Sequence, residues 1–213
     1  MSVWPYLGDH WPQILSTSWW HIELSLMSVG LALLAGLPLG VLCYWSRPAA
    51  VIVLTAVSVI YTIPTLALFG LMIPLLGIGV VPAVVAVLLY SLLPVVQNTY
   101  TGLATLDPAL REVAAGIGMG RFVRLFRVEL PLALPIIFAG VRVSVVNAIG
   151  MVTLASLVAA GGLGDFIFRG ISIMSWNLIA CGSVPVLALA LAADGLLKRV
   201  ERTLGGRFAA IAP

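Results

Sequence analysis

The chain has 213 residues, of which 62% are hydrophobic and only 9% charged, and its mean hydropathy is +1.15. A soluble domain carries about 25% charged residues, so this composition excludes one and specifies an integral membrane protein that buries most side chains in bilayer. The net charge of +3 is too small to imply nucleic acid and matters through its placement.

Residues 1–21 hold Trp4, Trp11, Trp19 and Trp20 with Asp9, His10 and His21. Tryptophans at this density suit the membrane-water interface, and both histidines are expected there, with Glu23 beside them. No Lys or Arg precedes the first apolar run, so no cleavable signal peptide is expected. Residues 22–197 read as the membrane domain. The first span is expected from about Ile22 to Trp45, with Gly30, Gly36 and Gly40 as close-packing positions. Arg47-Pro48 ends it. The second runs from about Ala49 to Leu76, interrupted by Pro64 and Pro74, and Gly77-Ile78-Gly79 makes a tight turn. The third runs from about Val80 to Tyr100, with Gln97 and Asn98 near its end.

Asp107 to Pro131 differs from everything around it. Asp107-Pro108 reads as a helix start, with Asp as N-cap and Pro at the first helical position. Leu110, Val113, Ala114 and Ile117 recur as one apolar stripe, and Gly116, Gly118 and Gly120 favour a tight turn. A second, basic amphipathic helix carries Arg121, Arg124 and Arg127, and Pro131 closes it. The fourth apolar run, Leu132 to Ala160, exceeds the roughly 20 residues a bilayer needs. A membrane part beginning near Val141 would place Arg142 at the headgroups, the expectation preferred here to a buried substrate-binding cation. Gly161-Gly162-Leu163-Gly164 breaks the run, Asp165 to Trp176 is a short mixed segment, and the fifth span covers about Leu178 to Leu197. Residues 198–213 form a basic tail with Lys198, Arg199, Arg202 and Arg207, and Asp194 is spaced to pair with Lys198.

The expectation is an all-α polytopic membrane protein with about five spans. Arg47, the arginines of the Asp107–Pro131 segment and the basic tail then share one side, opposite Arg169, so the N-terminus lies outside and the C-terminus in the cytoplasm. Polar residues within spans mark candidate pathway positions: Thr62, Pro64 and Thr65 around a proline bend, and Ser144 and Asn147 further along. Cys43 and Cys181 sit in apolar runs and read as core residues, with no metal site expected. No phosphate loop, zinc spacing or nucleophile motif is present, so no catalytic residue is assigned and the chain is not expected to be an enzyme.

The segment from Glu112 resembles the EAA loop of ABC-transporter permeases. That pattern is Glu-Ala-Ala, three residues, Gly, nine residues, Ile, one residue, Leu-Pro. Glu112-Val113-Ala114, Gly118, Val128 and Leu130-Pro131 keep every gap, with Val113 and Val128 as the departures. Ile63-Pro64-Thr65, Tyr90-Ser91-Leu92-Leu93-Pro94 and Gly161-Gly162-Leu163-Gly164 resemble the osmoprotectant branch, which imports glycine betaine, choline and carnitine. Methionine and other amino-acid importers have similar permeases, and a non-transport membrane scaffold would share the composition.

The resemblance implies a bacterial inner-membrane permease of a type I importer. It implies two ATPase subunits that use ATP and Mg, a second permease subunit, and an extracytoplasmic binding protein that selects the ligand, with membrane lipid around the spans. Residues 101–131 would form the cytoplasmic coupling loop. Glu112, Val113, Ala114, Ala115, Gly118, Leu130 and Pro131 would serve coupling, with Ala114 and Ala115 allowing close approach and Gly118 the turn back.

Overall fold

A computed structural model of the chain describes residues 11–209 together with Gly8. Trp4, Asp9 and His10 lie outside the described residues. The expected all-α fold is present as a series of long helices. Helix α1 spans Trp11–Trp45, so it crosses the expected start at Ile22: Pro12 falls in its first turn, where a proline is tolerated, and no other proline precedes Pro38. Ser46 alone separates it from α2, Arg47–Thr62, where Ser46 caps the new helix by accepting from the Ala49 N–H at 3.4 Å and Pro48 sits in the first turn. α3 is Thr65–Leu76 and α4 is Val80–Ala104.

The proline bend is a break. α2 and α3 meet at 101° around Ile63 and Pro64. Pro64 disfavours helical backbone at Ile63, which is extended at φ −66°, ψ 128°. The Ile63 carbonyl is satisfied from another helix, by the Tyr90 hydroxyl of α4. Thr62 satisfies only its own turn, donating to Val59 O at 2.7 Å.

Short helix α5 is Pro108–Gly116. After the turn at Gly118, α6 (Arg121–Arg124), a π-helical turn (Leu125–Glu129) and α7 (Leu130–Ala155) run as one rod of 38 residues to Val158. Pro131 therefore opens α7 and does not close the basic helix. Its missing N–H falls in the first turn of α7, directly after the widened turn, where no ordinary intrahelical bond is lost. The rod is about 57 Å long, nearly twice the ~30 Å hydrocarbon core, so much of its first half projects beyond the membrane. α8 is Gly164–Ser172 and α9 is Trp176–Ala209. α9 continues past the expected end at Leu197 because Lys198, Arg199 and Arg202 are good helix formers.

Contacts at the two ends fix the path of the chain. At one end Trp20 Nε1 donates to Ala160 O at 2.9 Å, and the Gly79 N–H donates to Val158 O at 2.8 Å. At the other, Tyr44 and Trp45 meet Arg111, Arg121 and Glu129. The chain therefore crosses five times: α1, the broken pair α2–α3, α4, α6–α7 and α9. His21, expected at the interface, is fully buried. Its Nδ1 accepts from the Leu163 N–H at 3.3 Å, so Nε2 carries the proton and meets Ile149 O at 2.9 Å. One neutral imidazole thus clasps α1, α7 and the glycine loop.

The helices touch through small residues, as bilayer packing requires. A Cβ at Gly36 would lie 2.7 Å from Val95 Cγ1, and one at Gly140 would lie 2.5 Å from Pro94 O. Gly30 meets nothing within 4 Å and is no packing position. Asn98 is half-buried against Gly140 and donates to Pro94 O at 2.8 Å, so it belongs to a contact between helices. Large apolar side chains such as Leu34, Ile52 and Leu191 face outward.

Candidate functional site

Two regions stand out, one at the Arg111 end and one beside the broken helix. At the first, Asp107 caps α5 by accepting from the Ala109 N–H at 2.9 Å. Gly118 has φ 84°, a left-handed conformation natural to glycine, and reverses the chain after α5. The stripe expected along α5 divides. Val113 and Ile117 are 66% and 69% exposed, whereas Ala114 is 4% exposed. Glu112 and Ala115 are exposed. Close approach by a partner can therefore occur at Ala115, while Ala114 packs inside the chain and is unavailable. Leu130 and Pro131 also lie away from the exposed face of α5. They line an apolar cavity of about 760 Å³ with Leu37, Trp45 and Phe122.

Which side chains tie this loop to the spans was not legible in the sequence, which showed Arg121 and Arg124 only as part of a basic helix face. Arg111 donates to Leu106 O at 3.1 Å and Ala104 O at 3.4 Å, capping the end of α4, and its guanidinium lies 5.4 Å from the Tyr44 ring centroid. Glu129 is 1% exposed. Its Oε1 accepts from Arg124 Nε at 2.9 Å and from the Tyr44 hydroxyl at 3.1 Å. Arg121 stacks over Trp45 at 4.1 Å, and Trp45 meets Phe122 edge to face at 5.4 Å. α5 and α6 are thus fastened to the end of α1. The available signal was a Tyr-Trp pair ending one apolar run and a lone carboxylate among arginines.

The second region gathers some of the expected pathway residues and rejects one. Tyr61, Thr65, Tyr90 and Asn147 line a cavity of about 330 Å³ with Gly150 and Met151. Asn147 is exposed and its Nδ2 lies 3.5 Å from the Tyr61 hydroxyl. Thr62 and Pro64 are exposed at the break itself. Ser144 is fully buried and donates to Ser91 O at 3.1 Å, so it joins α7 to α4 and lines no pathway. Arg142 is neither free nor alone. Its Nε lies 3.3 Å from Glu201 Oε2 and its NH1 3.8 Å from Asp194 Oδ1, so Asp194 pairs across helices and not with Lys198. Arg142 lies 16 residues before Val158, about 24 Å along the rod, which agrees with a position near one membrane surface.

Residues 32–206 match the family described as binding-protein-dependent transport system inner membrane component. The chain is 46% identical to the osmoprotectant import permease protein OsmW of Salmonella typhimurium, covering 93% of this chain and 95% of that protein. It is 42% identical to the choline transport system permease protein OpuBB of Bacillus subtilis, covering 93% and 92%. It is 41% identical to the glycine betaine/carnitine/choline transport system permease protein OpuCB of the same organism, covering 92% and 91%. Among solved structures it resembles an inward-facing MetNI methionine ABC transporter, with TM-score 0.82, 21% identity and 90% and 95% coverage. It also resembles an amino acid ABC transporter solved with histidines, with TM-score 0.78, 19% identity and 93% and 97% coverage. At these identities the structural likeness establishes the fold.

Proposed function

The chain belongs to the binding-protein-dependent transport system inner membrane components, and from that premise we propose that it is the permease subunit of an ATP-driven importer of osmoprotectants. It is an inner-membrane protein of type I importer fold. We assign glycine betaine, choline or carnitine as cargo because the similar proteins are named for those compounds. ATP hydrolysis, with its Mg, falls to a separate ATPase subunit present in two copies. A second permease, identical or paralogous, completes the pathway, and a binding protein delivers the ligand from outside. Five helices that are apolar on most faces enclose a polar route poorly alone; two such subunits line one at their interface.

The observation that carries this reading is helix α5. It is capped, exposes Val113, Ala115 and Ile117, and is fastened through Arg111 and Glu129 to the helices that cross the membrane. Force applied to α5 by an ATPase reaches α1, α4 and α7 through those contacts, which is what alternating access demands. With the arginine-rich end in the cytoplasm, α5 faces the ATPase. Co-expression with an ATPase and a binding protein should give uptake of a radiolabelled osmoprotectant that vanadate blocks. Uptake that persists without the ATPase would remove the importer reading.

A further inference from the structure

The break at Ile63–Pro64 leaves two tyrosine rings at the edge of the 330 Å³ cavity. Their centroids are 5.3 Å apart and their planes are tilted by 47°, so they form a wedge and not a stack. Each hydroxyl makes one hydrogen bond: Tyr90 donates to Ile63 O, and Tyr61 accepts from Asn147 Nδ2. The ring faces offer a visiting cation an electron-rich surface. Asn147 lies 11 residues before Val158, about 16 Å along the rod, which is close to the middle of a ~30 Å bilayer. An exposed amide at that depth belongs on a face that meets water or protein and not lipid.

No cationic side chain lines this cavity. A smaller one of about 150 Å³ shares Val146 and Asn147 with it and is bounded by Arg142 and Asp194. There a single guanidinium sits between two carboxylates, those of Asp194 and Glu201. The one cation bordering this smaller cavity is thus paired, and neither cavity offers an unpaired cation to an anion. The volume lies at the small end of ligand sites, roughly 300–1,000 Å³. Aromatic faces with no carboxylate in the lining suit a cation that cannot donate a hydrogen bond, which is a quaternary ammonium group. We propose that the Tyr61–Tyr90 wedge over Asn147 is a transient site for the quaternary ammonium group of the cargo inside the permease. This rests on the osmoprotectant reading above and adds a site within the membrane to the selection made by the binding protein.

The test uses the assembled transporter, with ATPase and binding protein, in proteoliposomes supplied with radiolabelled glycine betaine, choline and carnitine. Tyr61→Phe and Tyr61→Leu both lose the bond to Asn147, and only the first keeps the ring. Uptake by Tyr61→Phe should stay within about threefold of wild type, and uptake by Tyr61→Leu should fall about tenfold. A Cβ at Gly150 would meet nothing within 4 Å, so Gly150→Leu should fold, fill the cavity and lower uptake similarly. Fluorinated phenylalanines at position 61 keep size while weakening the ring face, and uptake should fall with each fluorine. Equal uptake by Tyr61→Leu and Tyr61→Phe, or a flat fluorine series, overturns the site while leaving the permease assignment intact. A wild-type system that imports none of the three compounds, with a binding protein that binds none, overturns the osmoprotectant reading and the site with it.

Discussion

Glu129 and Arg142 show how a single charged side chain can hold separate helices in register. Glu129 is buried and accepts two hydrogen bonds through one oxygen. Glu129→Gln loses the charge that strengthens both, at a cost of about 1–3 kcal/mol, and should lower the thermal midpoint of the detergent-solubilised protein. Tyr44→Phe removes only the neutral donor and should cost about 0.5–1.5 kcal/mol. Equal midpoints for Glu129→Gln and wild type would contradict this account. Arg142 is a quarter exposed and joins α7 to α9 through Glu201 and Asp194. Arg142→Gln leaves both carboxylates without their partner, so membrane abundance on immunoblots should fall. Adding Glu201→Gln removes one of those stranded charges and should restore part of the abundance. A double variant no more abundant than the single one would separate Arg142 from Glu201.

At the scale of the element, α5 is a short helix with a cap, an exposed apolar side and a left-handed exit. Gly118 has φ 84°, and Gly118→Val would force a β-branched residue into that conformation at about 1–3 kcal/mol. The turn should open and uptake should be lost, while the binding protein's affinity stays unchanged. Ala114 packs inward, so Ala114→Glu would damage the loop itself and report poorly on docking. Val113→Glu is the cleaner probe, since its side chain is 66% exposed and the variant should insert normally. It should reduce the amount of ATPase that co-purifies. A cysteine at Ala115 should cross-link to the ATPase with a yield that depends on nucleotide. Normal transport by both Gly118→Val and Val113→Glu would reduce α5 to a surface helix.

The whole molecule has two ends, and five crossings place specific residues on each. Ile78 and Ile173 lie at the Trp20 end and are 71% and 63% exposed; Ile117 lies at the Arg111 end. Cysteines at Ile78 and Ile173 should react with a membrane-impermeant maleimide in intact spheroplasts. A cysteine at Ile117 should react only after permeabilisation, and a reporter fused after Leu204 should read cytoplasmic. Cys43 and Cys181 are buried and should contribute little background. Labelling of Ile78 and Ile117 from the same side would break the five-crossing path, because the bent pair α2–α3 would then not span.

Composition, proline and glycine placement, and the spacing from Glu112 to Pro131 were enough to specify an apolar helical protein with a capped loop helix and a tight turn. Those properties are local: an Asp-Pro start, a glycine in a left-handed turn and a run too apolar for water act within a few residues of themselves. Partners distant in the chain were not legible. His21 read as interfacial because nothing near it reveals that Ile149 and Leu163 will close over it. Ser144 read as a pathway residue because a hydroxyl in a span has no visible partner until Ser91 is brought alongside. Ala114 read onto the same apolar stripe as Val113 and Ile117, and only the packing of α5 buries it while leaving them exposed. Pro131 looked like a terminator because the π-helical turn that admits it depends on what Glu129 and Leu125 pack against. In a chain this apolar almost every face can be buried, so hydrophobic periodicity carries little information about which face meets a neighbour. That choice was made by the few polar side chains that needed one another and by the glycines that let helices touch.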